Sequence, residues 1–524
     1  MRMGRALWLS AATMASRVLG LVRDQLFAAL VGANRFSDAF VVAFRIPNLL
    51  RDLFAEGALS SAFVPTFAEV EAREGRESAY RLGNALAGIV LLVVGSVVLL
   101  GMAAAPFVVH LLAPGFGGEE AAFATFLTRV MMPFLLLVSL AAVAMGMLNA
   151  QSRFAAPALA PALFNVGAIL VGAWLWASGK GPRAAAIGWS LGTLFGGVLQ
   201  LAAQLPSLRA LGFRARPRFG TAAFSEPGIR RIGRLMGAAV IGLSATQVNI
   251  LVNTRFASHS VGANTWLLMA FRLMQLPLGV FGVAIATVAG AGVAQRAAVH
   301  DVEGVKETLG SAMRLVAFLN VPAAVGLIVL ARPIISLVYE HGRFGSADTV
   351  ATAEALVYYA VGLYGYSAVK VFAPAFYALD QVRIPVLGSL VGMTSNVGMV
   401  LFLVPVLGFR GVALGTSLAA TANFAVLAFA WKRRHGGLGR AGIYRQLARC
   451  AVAAGVLAAA AAGTARLLEP QLAERGLFRQ LLLAFVPMAA GAGAYFAAAR
   501  LLGIRELEEV LDTLFRRWRR PKPG

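Results

Sequence analysis

The stretch Ser16–Pro65, SRVLGLVRDQLFAALVGANRFSDAFVVAFRIPNLLRDLFAEGALSSAFVP, decides how the chain is read. It is apolar enough to lie in a bilayer, yet it carries Arg17, Arg23, Asp24, Arg35, Asp38, Arg45, Arg51, Asp52 and Glu56. Charges at bilayer depth are expensive, and they face an internal cavity or a partner. Arg17 and Asp24 are seven residues apart and share a helical face. Arg23 is rotated from Asp24 by about 100°. Asp38, Arg45 and Asp52 recur at the same spacing, with Glu56 one turn beyond, which gives the second helix a charged face. Pro47 interrupts the ladder of that helix and favours a kink. The pattern suits two helices that begin the wall of a polar cavity for an anionic substrate. Two plainer readings compete: Arg23–Asp24 and Arg51–Asp52 as ion pairs that merely lock helices, and Arg35, Arg51 and Glu56 snorkelling to the interface.

The rest of the chain reads as membrane-embedded. Of 524 residues, 59% are hydrophobic and only 14% charged, and the mean hydropathy is +0.75. A soluble protein carries about 25% charged residues. Apolar runs of about 20 residues recur throughout, whereas a β-barrel shows short alternating segments. The expected fold class is an all-α polytopic membrane protein with about fourteen transmembrane helices. Their approximate positions are 7–31, 37–63, 82–106, 123–148, 158–178, 184–205, 231–256, 262–292, 309–331, 350–377, 384–405, 410–431, 446–466 and 478–503. The first is read as an uncleaved helix, because its short apolar core runs into Arg17 instead of a cleavage site.

The net charge of +23 fits basic loops better than nucleic-acid binding, which is not expected. Cys450 is the one cysteine and cannot form an intramolecular disulfide, and the five histidines show no metal-ligand spacing. No metal or cofactor is expected. Without a Walker loop, an ATP-driven pump within this chain alone is not expected.

Loop charge orients the spans. Basic residues crowd the connection after the sixth span (Arg209, Arg214, Arg216, Arg218, Arg230, Arg231, Arg234), that after the twelfth, and the tail. The positive-inside rule then puts both termini in the cytoplasm. Lys180 and Arg183, after the fifth span, fit less well. An internal repeat is also legible. Val31-Gly32-Ala33-Asn34 recurs as Val261-Gly262-Ala263-Asn264, Asn165-Val166-Gly167 as Asn396-Val397-Gly398, and Arg183 with Gly188 as Arg410 with Gly415. A duplicated six-helix unit keeps its orientation and makes a parallel repeat. The expected organisation is an N-terminal lobe at 1–205, a basic cytoplasmic linker at 206–230 and a C-terminal lobe at 231–433. Two last helices follow within 434–503, then an amphipathic basic tail at 504–524 on the membrane surface.

Arg272, in the eighth span, has no acid nearby in sequence and needs a distant carboxylate or an anionic ligand. Arginine grips phosphate oxygens bidentately and keeps its proton, so arginines converging from both lobes would suit a pyrophosphate. Lys370, in the tenth span, is a further candidate cation that could equally snorkel.

The residues SRVLGLVRDQLFA and DAFVVAFRIPNLLRDLFAEGALSSAFVP resemble the signature of the MurJ (MviN) lipid II flippases. Supporting matches are APGF at 113–116, LNAQSRFAAPALAPALFN at 148–165, FRLMQLPLGVFGVAIATV at 271–288, HGRF at 341–344 and VKVFAPAFYALDQVRIPV at 369–386. The resemblance implies membership of the multidrug/oligosaccharidyl-lipid/polysaccharide exporter superfamily, with two six-helix lobes and a final helix pair lining a groove for the lipid tail. It implies alternating-access transfer of lipid II from the inner to the outer leaflet of the bacterial cytoplasmic membrane, with no covalent chemistry. The partners implied are lipid II, the bilayer and the cell-wall synthesis machinery. Functional charges of the family map onto Arg17, Arg23, Asp24, Asp38, Arg51, Glu56 and Arg272, with Arg45 at a basic position. On this reading Arg17, Arg23 and Arg272 capture the pyrophosphate while Asp24 and Asp38 hold them. The chain departs from the family where acids flank the eighth-span arginine; here Phe271 and Gln275 stand. The eleventh span offers Ser395 and Asn396 but no carboxylate, so a sodium site is unsupported, while coupling to another ion or to the membrane potential stays open. The rivals are an exporter of another polyprenyl-linked oligosaccharide or of drugs, a membrane glycosyltransferase and a structural scaffold.

Overall fold

The computed structural model describes residues 3–52, 58–179, 181–438, 442–471 and 476–508. Glu56, Lys180 and most of the expected tail, 509–524, lie outside these. Contacts divide the chain into two compact units. The first is Met1–Thr265 with His341–Gly345; the second is Trp266–Glu340 with Ser346–Gly524.

The first unit holds α1 (Met3–Val31), α2 (Arg35–Arg51), α3 (Ala58–Glu74), α4 (Arg76–Ala103), α5 (Ala105–Leu112) and α6 (Gly118–Met131). It continues with α7 (Pro133–Ala150), α8 (Ala155–Ala177), α9 (Pro182–Ala202), the short α10 (Leu205–Ala210) and α11 (Thr221–Phe224), and α12 (Ile229–Ala257). Small residues let these helices touch. A Cβ on Gly167 of α8 would come within 2.8 Å of the Cα of Gly196 on α9, so the backbones are in contact. Aromatic rings fill the space beside them. Trp189, Phe27 and Phe40 lie at centroid distances of 5.5 and 4.9 Å. Phe44, Phe134 and Phe164 continue the row at 6.0 and 5.4 Å.

The segment 206–230, expected as a linker, is docked along α4. Asn84 gives its amide to the Arg214 carbonyl at 3.1 Å and accepts the Arg216 N–H at 2.8 Å, and the Tyr80 hydroxyl donates to the Leu211 carbonyl at 2.8 Å. Phe213 is buried edge-on to Tyr80. Backbone groups of the strap between the short α10 and α11 are thus paired by side chains of α4. The contact boundary accordingly falls at 265/266, not at 230/231, and α12 joins the first unit.

The second unit takes in α13 (Ala263–Pro277) from Trp266 onward, a π-helical stretch Leu278–Gly282, α14 (Val283–Ala298), α15 (Val302–Val329) and α16 (Ala331–Tyr339). Then come α17 (Ser346–Ala360), α18 (Leu363–Ala378), α19 (Arg383–Leu407), α20 (Phe409–His435), α21 (Ile443–Leu468) and α22 (Leu477–Leu501). The π stretch follows Pro277, which cannot donate to the ladder. Helices α17 and α18 meet at a bend of 43°, where the Ser417 hydroxyl donates to the Tyr358 carbonyl at 2.8 Å. The chain after α22 turns back: Ile504 and Leu507 are buried against Phe318, Cys450 and Tyr495. Beside them the buried Glu506 accepts from Arg314 Nε at 2.8 Å and from the Gln446 amide.

Among the described residues, 10 helices are long and apolar enough to cross a membrane, or 11 with the bent pair as one span. The expected spans outside that set are α1, the α2–α3 region and α12. The protein is an all-α, multi-pass membrane protein. Large apolar side chains that the fold leaves uncovered, such as Leu99, Leu100, Phe402 and Val406, are each more than two-thirds exposed and suit a lipid environment.

Candidate functional site

Helix α1 brings the first cluster together. Arg23 and Asp24 are largely buried and paired, with Nη2 2.9 Å and Nε 3.2 Å from one carboxylate oxygen. Arg23 Nη1 donates to Asn165 Oδ1 on α8 at 3.1 Å, and the guanidinium lies 5.5 Å from the centroid of Phe164. The Asn165 amide nitrogen donates to the Ser16 carbonyl at 3.0 Å. Arg17, almost two turns before Arg23, is exposed. An arginine held this way keeps its charge and a fixed orientation within an apolar bundle.

Among the described residues, Asp38 is hydrogen-bonded by groups of Gly262 and Thr265. It is fully buried. One oxygen accepts the Gly262 N–H at 2.6 Å; the other accepts the Thr265 N–H at 2.9 Å and its hydroxyl at 2.7 Å. These groups stand at the start of α13, where a helix leaves N–H groups unpaired and favours negative charge. Asp38 is therefore a cap supplied from another helix. The remaining expected residues lie on α2, α13 and α18. Arg51 pairs with Asp52 at 3.0 Å, partly exposed. Arg45 is half-buried on α2 and Lys370 is exposed on α18. Arg272 is half-buried on α13, in the second unit.

A smaller polar cleft accounts for Arg183. It is lined by Arg35, Phe36, Glu119, Glu120, Phe123 and Arg183. Arg35 lies 3.5 Å from Glu119, and Arg183 lies over the Phe123 ring at 5.5 Å. The basic residue that fitted loop-charge bias poorly thus sits beside two acids. Asn165 and Thr265, both engaged with the expected charges, were not singled out as site residues. A buried asparagine in an apolar run was the available signal for the first; nothing in sequence marks the second.

The family model described as "Lipid II flippase MurJ" matches residues 27–482. The chain belongs to the MurJ family. A probable lipid II flippase MurJ from Rhizobium meliloti is 36% identical over 456 residues, covering 86% of this chain and 84% of the relative. One from Vibrio cholerae is 33% identical over 513 residues, covering 95% of each. A solved structure of lipid II flippase MurJ in an inward closed conformation superposes with a TM-score of 0.78 at 24% identity, over 98% of this chain and 100% of that one. The fold is therefore that of MurJ, and the paired Arg23 on α1 is a feature of a MurJ-family chain.

Proposed function

We propose that this protein moves lipid II from the inner to the outer leaflet of the bacterial cytoplasmic membrane, by alternating access and without covalent chemistry. Membership of the MurJ family supports the substrate, and the loop charge supports cytoplasmic termini. In this reading Arg17, Arg23 and Arg272 receive the pyrophosphate, with Asp24 holding Arg23, and Arg51 and Arg45 extend the basic lining. Asp38 contributes by fixing the start of the helix that carries Arg272. The lipid tail stays in the bilayer beside α21 and α22. The observation that carries the reading is the largely buried Arg23, gripped by the Asp24 carboxylate and the neutral Asn165 amide. A drug exporter for cations would place acids there instead.

The test is complementation of bacteria depleted of their own flippase, with leaflet exposure of lipid II as the readout. The unaltered chain is expected to restore exposure, and Arg23→Ala and Arg272→Ala to lose most of it at equal expression. Failure of the unaltered chain would overturn the substrate; normal exposure with both variants would overturn arginine capture.

A further inference from the structure

The grip on Arg23 has two sides. On one, a single oxygen of Asp24 takes Nε and Nη2. On the other, Nη1 goes to the amide oxygen of Asn165, a residue of α8 that is 7% exposed. The same amide turns its nitrogen to the Ser16 carbonyl, and that nitrogen lies 3.6 Å from where a Cβ of Gly20 would stand. Ser16, Gly20 and Arg23 follow one another at helical spacing on one face of α1. Asn165 therefore lies across that face, and its orientation is set at both ends: oxygen to the guanidinium, nitrogen to the helix backbone.

We infer that Asn165 is a positioning residue for substrate capture, fixing the Arg23 guanidinium with a neutral acceptor so that its charge stays available to an anionic lipid headgroup. This rests on the proposed function. The physical reason is the choice of acceptor. A guanidinium held by Asp24 alone is free to turn until both of its N–H pairs face the carboxylate, which is its preferred bidentate geometry. Asn165 holds Nη1 away from that arrangement. A carboxylate at 165 could still accept from Nη1, but it has no N–H for the Ser16 carbonyl. It would also add a negative charge beside Arg23, and a pyrophosphate would meet repulsion. The Phe164 ring under the guanidinium fixes its plane without charge.

The test uses the full-length protein in nanodiscs, with lipid II as the probe. Half-saturation and maximal transfer rate are measured for Asn165→Asp, Asn165→Ala and the double variant Asp24→Asn/Asn165→Asp. Asn165→Asp is expected to raise half-saturation by about tenfold or more, and Asn165→Ala by a few-fold, with maximal rate less affected. The double variant moves the carboxylate across the guanidinium, restoring the charge balance and one neutral acceptor but not the bond to Ser16. It is expected to recover the part of the lost affinity that is due to charge. If it is as impaired as Asn165→Asp alone, or if Asn165→Asp folds and binds like the parent, Asn165 only packs α8 on α1 and the inference fails. Asn165→Ala keeps the test decisive if the charged variant does not fold, because unchanged half-saturation there also overturns it. Absence of lipid II binding by the parent protein overturns the functional reading itself and this inference with it.

Discussion

The junction between α1 and α2 and that between α12 and α13 carry the same four residues, Val-Gly-Ala-Asn, yet they are closed by different groups. In both, the glycine is left-handed, with φ of 77° at Gly32 and 87° at Gly262, a conformation other residues adopt at a cost. After Gly32 the chain caps itself. Asn34 Oδ1 accepts from the N–H groups of Phe36 at 2.8 Å and Ser37 at 3.3 Å, and the Ser37 hydroxyl answers the Asn34 N–H at 2.8 Å. After Gly262 the helix starts two residues earlier relative to the motif, at Ala263. Asn264 is therefore already inside the first turn, and its buried amide nitrogen has no hydrogen-bond partner among the described residues. The cap comes instead from Asp38, 224 residues before Gly262.

The helix ends before the two turns differ in the same way. The Ala29 carbonyl, in the last turn of α1, accepts the backbone N–H of Arg343 at 2.8 Å. At the end of α12 the contact runs through side chains: Ser258 Oγ accepts the Gly115 N–H at 3.2 Å, and Arg255 Nη1 donates to the Leu111 carbonyl at 2.6 Å. Both docking segments, APGF and HGRF, hold glycines whose lack of a Cβ permits the approach. A Cβ on Gly115 would come within 2.6 Å of the Ser258 carbonyl, and one on Gly342 within 2.4 Å of the Ala29 carbonyl. The turn demands one backbone conformation, which glycine supplies, while a helix end demands only a donor or acceptor within reach. Duplication has kept the first and let the second drift.

The comparison breaks most severely at Asp38. Asp38→Ala leaves two N–H groups and a hydroxyl buried without that acceptor, and each such group costs about 1–3 kcal/mol. The expected loss is about 3 kcal/mol or more, read as a lower thermal unfolding midpoint in detergent, with Asp38→Asn in between. An unchanged midpoint for Asp38→Ala would show that α13 does not depend on a borrowed cap. Next in size come the docked glycines. Gly342→Ala meets both a carbonyl and a left-handed φ of 59°, and is expected to cost about 2 kcal/mol; Gly115→Ala meets only the contact and should cost less. Equal effects would mean that the backbone conformation at Gly342 carries no cost.

A finer distinction separates the two asparagines of the motif. Asn34→Leu removes a capping box and should cost about 1 kcal/mol. Asn264→Leu replaces an amide nitrogen that already lacks a partner by an apolar group of similar size, and should be neutral or slightly stabilising. The same unfolding assay reads both, and a larger loss at Asn264 than at Asn34 would reverse the assignment of caps.

These particulars show what was legible in the sequence. The apolar runs fixed the helices, and the matching Val-Gly-Ala-Asn motifs marked the repeat. Charges within the apolar α1 and α2 mark Arg23, Asp24 and Asp38 as groups that need partners. Their partners were not legible, because Asp38 binds backbone N–H groups and a backbone donor leaves no trace in residue identity. The Arg23–Asp24 contact is readable from adjacency, whereas Asn165, 142 residues on, reads in sequence only as a marker of the repeat. The docking of 206–230 on α4 was hidden for the same reason: Asn84 reads as an ordinary polar residue until its amide is seen bracketing Arg214 and Arg216.

The smallest expected effect concerns the other end of α12, which is held as well. Arg231 donates to Glu69 of α3, and Arg73 adds its charge at 3.1 Å. The hydrogen bond from Arg231, and then its charge and that of Arg73, hold the Glu69 carboxyl below its ordinary value of 4.5. A carboxyl lowered in the folded state favours folding above its unfolded value and loses that contribution as pH falls through the folded one. The tie between α3 and α12 should therefore weaken only below about pH 4.5. The pair is exposed to solvent, so the change is small and further reduced by salt. Protection of the first turns of α12 against hydrogen exchange, taken relative to the intrinsic exchange rate at each pH, should fall slightly from pH 7 to pH 4 in the parent and not in Glu69→Gln, where the tie is already weakened. If the parent shows no acid-dependent change there while α3 itself stays protected, the start of α12 is held by packing alone. The contrast between the two junctions would then rest wholly on the caps at their turns.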